Sequence, residues 1–223
     1  MNFWHISRKS IICLLLFMFT AISIGEGLEP LITARTLAAV ESKYGHPARQ
    51  RIEAWIKLIA DNRQKPEQEK LALVNAFFNQ LLFVSDLDHW GRNDYWATPL
   101  EMLGSGGGDC EDYSISKYFT LLMLGVSIDK LKITYVKARN WNPVSQAHMV
   151  LAYYASESSV PLVLDNLDGE IKPADKRPDL LPVYSFNGDG LWLVKERGLG
   201  KRVESGNRQR MWLEMLTRMN QEF

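Results

Sequence analysis

The segment Gly106-Gly-Gly-Asp-Cys-Glu-Asp-Tyr113 (GGGDCEDY) decides how this chain is interpreted, because it joins a glycine-rich loop to the start of a helix. Apolar residues recur at helical spacing from Cys110 to Leu124, and Gly125 is placed to end that helix. The thiol of Cys110 therefore falls in the first turn of a predicted helix. Unpaired N–H groups and partial positive charge at that position stabilise a thiolate, which lowers the cysteine pKa, and they can also bind an oxyanion.

Helices are predicted on the N-terminal side of this segment. Apolar spacing indicates helical structure over residues 30–63, interrupted at Gly45-His46-Pro47, and a further helix that begins at Pro66. The periodicity then disappears, so residues 85–108 are predicted to form an irregular loop that is rich in aromatic side chains.

On the C-terminal side, apolar and polar residues alternate, which is typical of strands. The predicted strands cover residues 132–137, 147–155, 160–164 and 191–194. Asp168-Gly169 is a hairpin-type turn signal, residues 173–182 are predicted to be a loop, and a short amphipathic helix begins at about Arg208. Helices followed by an antiparallel sheet are the order of an α+β fold, so residues 28–223 are predicted to form a single α+β domain.

The first 27 residues have the layout of a secretory signal peptide. Arg8 and Lys9 precede the apolar run 11–24, and small residues follow it. The run is shorter than the ~20 residues that span a bilayer, so we expect cleavage near residues 25–27 rather than an uncleaved anchor. No later segment is apolar enough to span a membrane. The mature chain is therefore expected to be soluble and to act outside the cytoplasm, in the periplasm.

Composition and charge argue against one class of partner. The 223 residues include 26 basic and 26 acidic side chains, which give a net charge of zero with no basic stripe or acidic tail. Nucleic acid is therefore not an implied partner.

Cys110 is the thiol that remains once the signal is removed. The chain has two cysteines, and the other, Cys13, lies in the apolar run of the signal. A single thiol in an oxidising compartment cannot form an intramolecular disulfide, which makes it a candidate for a reactive or intermolecular role. A buried, inert cysteine is the alternative.

A thiolate nucleophile needs a histidine that exchanges its proton and a third group that orients the histidine. His148 begins a predicted strand, whereas the other histidines lie in the signal, beside a proline break and in the irregular loop. Asp165 ends the next predicted strand, and positions on two antiparallel strands can face each other at one edge of a sheet. We therefore predict that His148 and Asp165 work with Cys110, although a lone strand histidine is more often structural.

Three acids, Asp109, Glu111 and Asp112, flank Cys110 and would raise the pKa of its thiol. One explanation is structural, since acids cap helix N-termini and favour the first turn. The other is a Ca²⁺ site, because calcium takes hard oxygen ligands and would neutralise the repulsion. The aromatic residues of the loop, Trp90, Tyr95 and Trp96, and the pair Trp141 and Asn142 either cover the core or line a cleft.

Three motifs in this order resemble a known family. Cysteine at a helix start, histidine on a strand and aspartate on the following strand are similar to the transglutaminase-like fold of papain-type enzymes. GGGDCEDY, QAHMVLAYY (146–154) and VLDN (163–166) resemble, more narrowly, the bacterial transglutaminase-like cysteine peptidases of the LapG type. The resemblance implies N-terminal helices and a catalytic helix packed on an antiparallel sheet. It also implies that Cys110 is the nucleophile, His148 the general base and acid, and Asp165 the orienting carboxylate.

The resemblance carries further expectations about function. LapG-type enzymes are periplasmic, calcium-dependent proteases that cut the N-terminal region of a large surface adhesin near a pair of alanines, which releases biofilm cells. An inner-membrane receptor of the LapD type, which senses cyclic-di-GMP, sequesters them. Asp109 and Glu111 match the calcium-linked positions of the family, and Asp112 is a weaker addition.

Two other functions remain open on the sequence. A true transglutaminase uses the same triad but lets an amine intercept the thioester. A protein of the same fold without activity would only bind and sequester a partner, but such a protein has no reason to keep Cys110, His148 and Asp165 together.

Overall fold

The computed structural model describes residues 32–139, 146–188, 190–195, 198–202 and 207–222. The predicted signal peptide, residues 1–27, and the pair Trp141 and Asn142 lie outside the described residues. No helix in the described part of the chain is both long and apolar enough to cross a membrane.

The predicted N-terminal helices are present. They are α1 (Ala34–Tyr44), α2 (His46–Asn62) and α3 (Glu67–Phe78). Gly45 separates the first two, as predicted, because its φ of 86° is one that glycine adopts at little cost. Pro47 then stands at the start of α2, where the missing N–H of proline is not needed.

The prediction of an irregular loop over residues 85–108 is wrong. This stretch forms α4 (Asp86–Trp90), α5 (Pro99–Ser105) and β2 (Gly107–Gly108), and β1 (Leu82–Phe83) lies just before it. These elements are too short for an apolar repeat to reveal them. The start of α5 is nevertheless marked in the sequence, since Thr98 and Glu101 accept hydrogen bonds from each other's backbone N–H in a capping box.

The strands β1 and β2 hold the glycine loop in place. They pair in parallel, with Leu82 opposite Gly107 and Phe83 opposite Gly108. A Cβ atom on Gly107 would lie 2.6 Å from the carbonyl oxygen of Leu82, so the pairing depends on the absence of a side chain there. The backbone is thereby fixed immediately before Cys110.

The predicted nucleophile helix is α6 (Cys110–Met123), and Gly125 follows it with a φ of 83°. The helix is buried along most of its length. Trp55 of α2 is fully buried, and its Nε1–H donates to Thr120 Oγ1 over 2.8 Å, which fixes α2 against α6.

An antiparallel sheet follows, which confirms the α+β class. Its strands are β3 (Leu131–Ala138), β4 (Gln146–Tyr153), β5 (Leu162–Leu164), β6 (Lys172–Pro173), β7 (Leu180–Asn187), β8 (Gly190–Lys195) and β9 (Gly198–Arg202). Their order in space is β6-β5-β4-β3-β7-β8-β9. The helix α7 (Asn207–Glu222) comes last, where an amphipathic helix is predicted.

The predicted loop over residues 173–182 is wrong at both ends. Pro173 belongs to β6, a 3₁₀ turn covers Ala174–Lys176, and β7 starts at Leu180. Pro182 lies inside β7 because the register shifts beside it: Val136 pairs with Pro182 although the preceding residue of β3 pairs with Tyr184. Such a bulge tolerates a residue without an N–H.

The sheet is covered on both faces around β4. Met149, Leu151 and Tyr153 belong to the main core, which also contains the apolar side chains of α6. On the opposite face, Val136, Val150 and Val163 form a small cluster, against which Ala174 and Leu180 pack. The segment 174–180 therefore lies across the face that does not carry α6.

Candidate active site

His148 and Asp165 lie on one face of the sheet. The register pairs Leu151 with Leu164, and continuing it by one residue places Asp165 opposite Val150. Because side chains alternate along a strand, His148 is on the same face as Val150. His148 Nε2 and Asp165 Oδ1 are 2.8 Å apart, and both side chains are buried.

This contact determines which ring nitrogen of the histidine is engaged. Since Nε2 bonds to Asp165, Nδ1 is the nitrogen left for exchanging a proton with a thiol. Asp165 Oδ1 also accepts the N–H of Leu167 over 3.0 Å. Burial acts to raise the pKa of Asp165, but the bond and charge of His148, with the other donors, outweigh it and lower the pKa to about 2. The carboxylate is therefore ionised at neutral pH.

Cys110 approaches the pair beside the open part of β4. The pairing with β5 covers only Leu151 to Tyr153 of that strand. The backbone N–H of Met149 lies near enough to the sulfur of Cys110 to lower the pKa of the thiol. The thiol therefore lies next to the residue that follows His148, and of the three predicted side chains His148 and Asp165 are in direct contact.

The thiol donates its hydrogen bond to an acid rather than to His148. Cys110 Sγ lies 3.0 Å from Glu111 Oε2. Burial raises the pKa of Cys110, and the charges of Glu111 and Asp109 raise it further, while the Met149 N–H lowers it. The net pKa of this thiol is therefore raised, as the flanking acids predict, because burial and those acids outweigh the helix N-terminus.

Asp109 and Glu111, predicted as metal ligands, belong to a larger group that we call the acid cluster. Its members are Asp86, Asp94, Asp109, Glu111 and Asp112. Carboxylate oxygens of Asp86, Asp109 and Asp112 lie within 4.8 Å of one another, and so do those of Asp86, Asp94 and Glu111. The cluster combines the start of α6 with the segment around α4.

Two oxygen atoms of the cluster are buried without a hydrogen bond in the described structure, Asp86 Oδ1 and Asp109 Oδ1. Burial raises the pKa of Asp86 to about 7. Burial, then the charges of Glu111 and Asp112, raise the pKa of Asp109 as well. Unpaired buried acids are costly unless they are protonated or bind a cation. Because calcium takes several carboxylate oxygens, the donor set fits this ion.

Asp112 contributes an oxygen atom to the acid cluster, but it also accepts hydrogen bonds from the backbone. Its Oδ1 accepts the N–H of Ala97 over 2.7 Å, and its Oδ2 accepts the N–H of Asp109 over 3.2 Å. These bonds fasten the segment before α5 to the first turn of α6. The structural explanation of the flanking acids thus applies to Asp112 most strongly.

Sequence reasoning missed Asp86 and Asp94. Both come from the segment before α5, and no local pattern separates them from exposed acids there. Asp86 is 4% exposed and accepts the N–H of Tyr95, a contact that only the folded segment makes. For two of the loop aromatics the core explanation holds, since Trp96 is 1% exposed and Tyr95 donates to Glu101.

Replacing Glu111 by glutamine removes a charge that holds the thiol protonated. We expect metal-free Glu111→Gln to react several-fold faster with iodoacetamide at neutral pH than the unsubstituted protein, because the thiolate fraction rises. Mass spectrometry with a chelator present gives the rate. Glu157→Gln, at an exposed site outside the cluster, is the control and should leave the rate unchanged. A rate for Glu111→Gln at or below that of the unsubstituted protein contradicts the assignment.

Comparison with known proteins agrees with this geometry. The family model described as bacterial transglutaminase-like cysteine proteinase, BTLCP, matches residues 51–180. No curated protein matches the chain.

Solved structures of LapG from Legionella pneumophila are similar over most of the chain. The calcium-bound form is 43% identical, with a TM-score of 0.70, and the match covers 83% of this chain and 98% of that one. The EGTA-treated form is 42% identical, with a TM-score of 0.71 and coverage of 83% and 96%. The acid cluster, the His148–Asp165 contact and these matches lead to one conclusion: the chain belongs to the bacterial transglutaminase-like cysteine proteinases and is a LapG-like cysteine protease.

Proposed function

We propose that this protease is calcium-dependent and periplasmic, and that it cleaves the N-terminal region of a large surface adhesin near a di-alanine site. Cleavage releases the adhesin and promotes biofilm dispersal. The observation that carries the proposal is the position of the Cys110 thiol, which bonds to Glu111 of the acid cluster and lies beside Met149, the residue after His148 of the His148–Asp165 pair.

Three side chains have separate roles in the proposed hydrolysis of a peptide bond. His148 takes the thiol proton on Nδ1, and the sulfur of Cys110 attacks the scissile carbonyl carbon to form a C–S bond. As the C–N bond breaks, the imidazolium gives the proton to the leaving amine. Water that His148 deprotonates then attacks the thioester carbon, the C–S bond breaks to release the acid product, and His148 returns the proton to the sulfur. Asp165 keeps Nε2 engaged, so that Nδ1 stays available to the thiol.

Calcium is the cation that the proposal assigns to the acid cluster. Asp86, Asp109 and Glu111 would hold it, with Asp112 and Asp94 within reach. A bound calcium ion supplies positive charge where acids raise the pKa of the Cys110 thiol. The calcium-bound structure of the Legionella relative, at 43% identity, supports this choice of ion.

The substrate, compartment and regulator rest on the family resemblance and on the predicted signal peptide over residues 1–27. The proposal places the protease in the periplasm, where it meets the adhesin. An inner-membrane receptor that senses cyclic-di-GMP sequesters it there, so that release of the protease starts adhesin cleavage.

Cleavage of the proposed substrate requires both Cys110 and calcium. The mature protein is mixed with an N-terminal fragment of a large repeat adhesin from the same genome, with calcium or with EGTA, and the products are identified by mass spectrometry. We expect a cut near the di-alanine site with calcium, and only background cleavage with EGTA or with Cys110→Ala. A fragment that stays intact but binds both forms equally would contradict the proposal in favour of a binding protein. A rise in fragment mass by cross-linking would instead indicate acyl transfer.

Calcium binding is tested independently of activity by thermal unfolding. The mature protein is expected to gain about 2.7 kcal/mol of stability when calcium exceeds its Kd a hundredfold. In Asp109→Asn most of this gain is lost, although the calcium-free variant is at least as stable as the calcium-free parent, because one repelled buried acid is gone.

The control for this experiment is Asp61→Asn, which removes an exposed acid on α2 and should keep the full gain. An undiminished calcium response in Asp109→Asn would contradict the assignment of the site.

A further inference from the structure

Asp165 has a second buried partner, which the three-residue account of catalysis does not use. Arg177 is 3% exposed, and its Nη2 donates to Asp165 Oδ2 over 2.8 Å. The other oxygen, Oδ1, bonds to His148 and Leu167. Each oxygen of the carboxylate therefore has its own donors, and the guanidinium defines which oxygen faces the histidine.

The guanidinium is itself held in one orientation. Asp179 accepts from Arg177 Nε over 3.0 Å through Oδ1 and from Nη2 over 2.8 Å through Oδ2. The carbonyl oxygen of Asp179 accepts the N–H of Arg139 over 2.7 Å, at the end of β3. This two-point contact suits the planar fork of arginine and would be lost with lysine.

The backbone that carries Arg177 is also anchored. Ala174 donates its N–H to the carbonyl oxygen of Pro161 over 2.9 Å, and Arg177 donates to the carbonyl oxygen of Ala174 over 3.1 Å. Leu180 and Ala174 pack on the valine cluster of the sheet face. The segment thus delivers a fixed cation to the face on which His148 and Asp165 lie.

A fixed cation matters because the charge of His148 changes during hydrolysis. When the imidazole is neutral, a buried Asp165 without another cation would be an unpaired charge, which is costly. Lys117 is also buried nearby, but its Nζ donates to Asn75 Oδ1 over 2.8 Å. In the described structure Arg177 is the cation that bonds to Asp165 directly.

We propose that Arg177 is a positioning residue for the hydrolysis. Clamped by Asp179, it keeps Asp165 oriented towards Nε2 of His148 in both protonation states of the imidazole. The inference rests on the proposed roles of Cys110, His148 and Asp165. It adds that the cover segment 174–180 is part of the catalytic machinery and not only of the fold.

The test compares Arg177→Met, Arg177→Lys and Asp179→Asn with calcium saturating. Adhesin-fragment cleavage gives kcat and KM, and NMR follows the downfield proton of the His148 imidazole bonded to a carboxylate. For Arg177→Met we expect kcat to fall about 10- to 100-fold with KM unchanged. This is less than the roughly 10⁴-fold lost when the orienting carboxylate of a serine-protease triad is replaced. The downfield proton should broaden or disappear.

The other variants separate geometry from charge. Arg177→Lys keeps the charge but not the fork, so it should recover part of kcat, and Asp179→Asn should lose less than Arg177→Met. Arg210→Met, at an exposed arginine on α7, is the control and should match the unsubstituted protein. Circular dichroism checks that each variant is folded. If Arg177→Met does not fold, the kcat and the downfield proton of Arg177→Lys test the proposal instead.

Asp165→Asn distinguishes this inference from the function on which it rests. If Asp165→Asn is inactive while folded Arg177 variants keep both kcat and the downfield proton, the role of Arg177 is wrong. If Asp165→Asn is fully active, the triad itself is wrong, and the Arg177 proposal fails with it.

Discussion

Negative charge buried beside the nucleophile is the constraint on which the rest of the site depends. The start of α6 places Asp109 and Glu111 on either side of Cys110, and α4 adds Asp86 to the same small volume. Burial and mutual repulsion raise the pKa values of Asp86, Asp109 and the thiol alike. The thiol donates to Glu111, so proton transfer to His148 competes with an existing hydrogen bond.

Buried carboxylates on the two sides of the site have pKa values that are shifted in opposite directions. Asp165 is as buried as the acids near Cys110, yet its pKa is low because His148 and Arg177 bond to it. Asp86 and Asp109 have no such cation in the described structure. One side of the site has a carboxylate with its cation, Asp165, and the other has two acids without one, Asp86 and Asp109, so only the second side is suited to a metal ion. The proposed function therefore makes calcium a condition for thiol reactivity.

The fold brings these two sides together through short elements and one open strand edge. The β1–β2 pairing and the bonds of Asp112 fix the backbone that enters α6. On the sheet, β5 pairs only with Leu151 to Tyr153 of β4, which leaves room for the sulfur of Cys110 beside the backbone of Met149. The segment 174–180 then covers the opposite face and delivers Arg177.

What could be predicted from the sequence is what local patterns encode. The helix after GGGDCEDY, the strand of His148 and the α+β order follow from spacing, and the motifs gave the family. Asp86 and Arg177 could not be predicted, because each acquires its role from residues far along the chain. Pro182 was wrongly predicted to lie in a loop for a similar reason, since a bulge against β3 makes a proline acceptable inside a strand. The direction in which the pKa of Cys110 shifts also depends on the burial of the thiol, which the spacing of residues in the sequence does not reveal.

The central claim is that the acids beside Cys110 hold the thiol unreactive until calcium neutralises them. The most direct measurement is the rate at which iodoacetamide alkylates Cys110 in the unsubstituted mature protein, with calcium and with EGTA, followed by mass spectrometry at neutral pH. The account predicts a faster reaction with calcium, because the thiolate fraction rises. Equal rates, or a slower reaction with calcium bound, would contradict it.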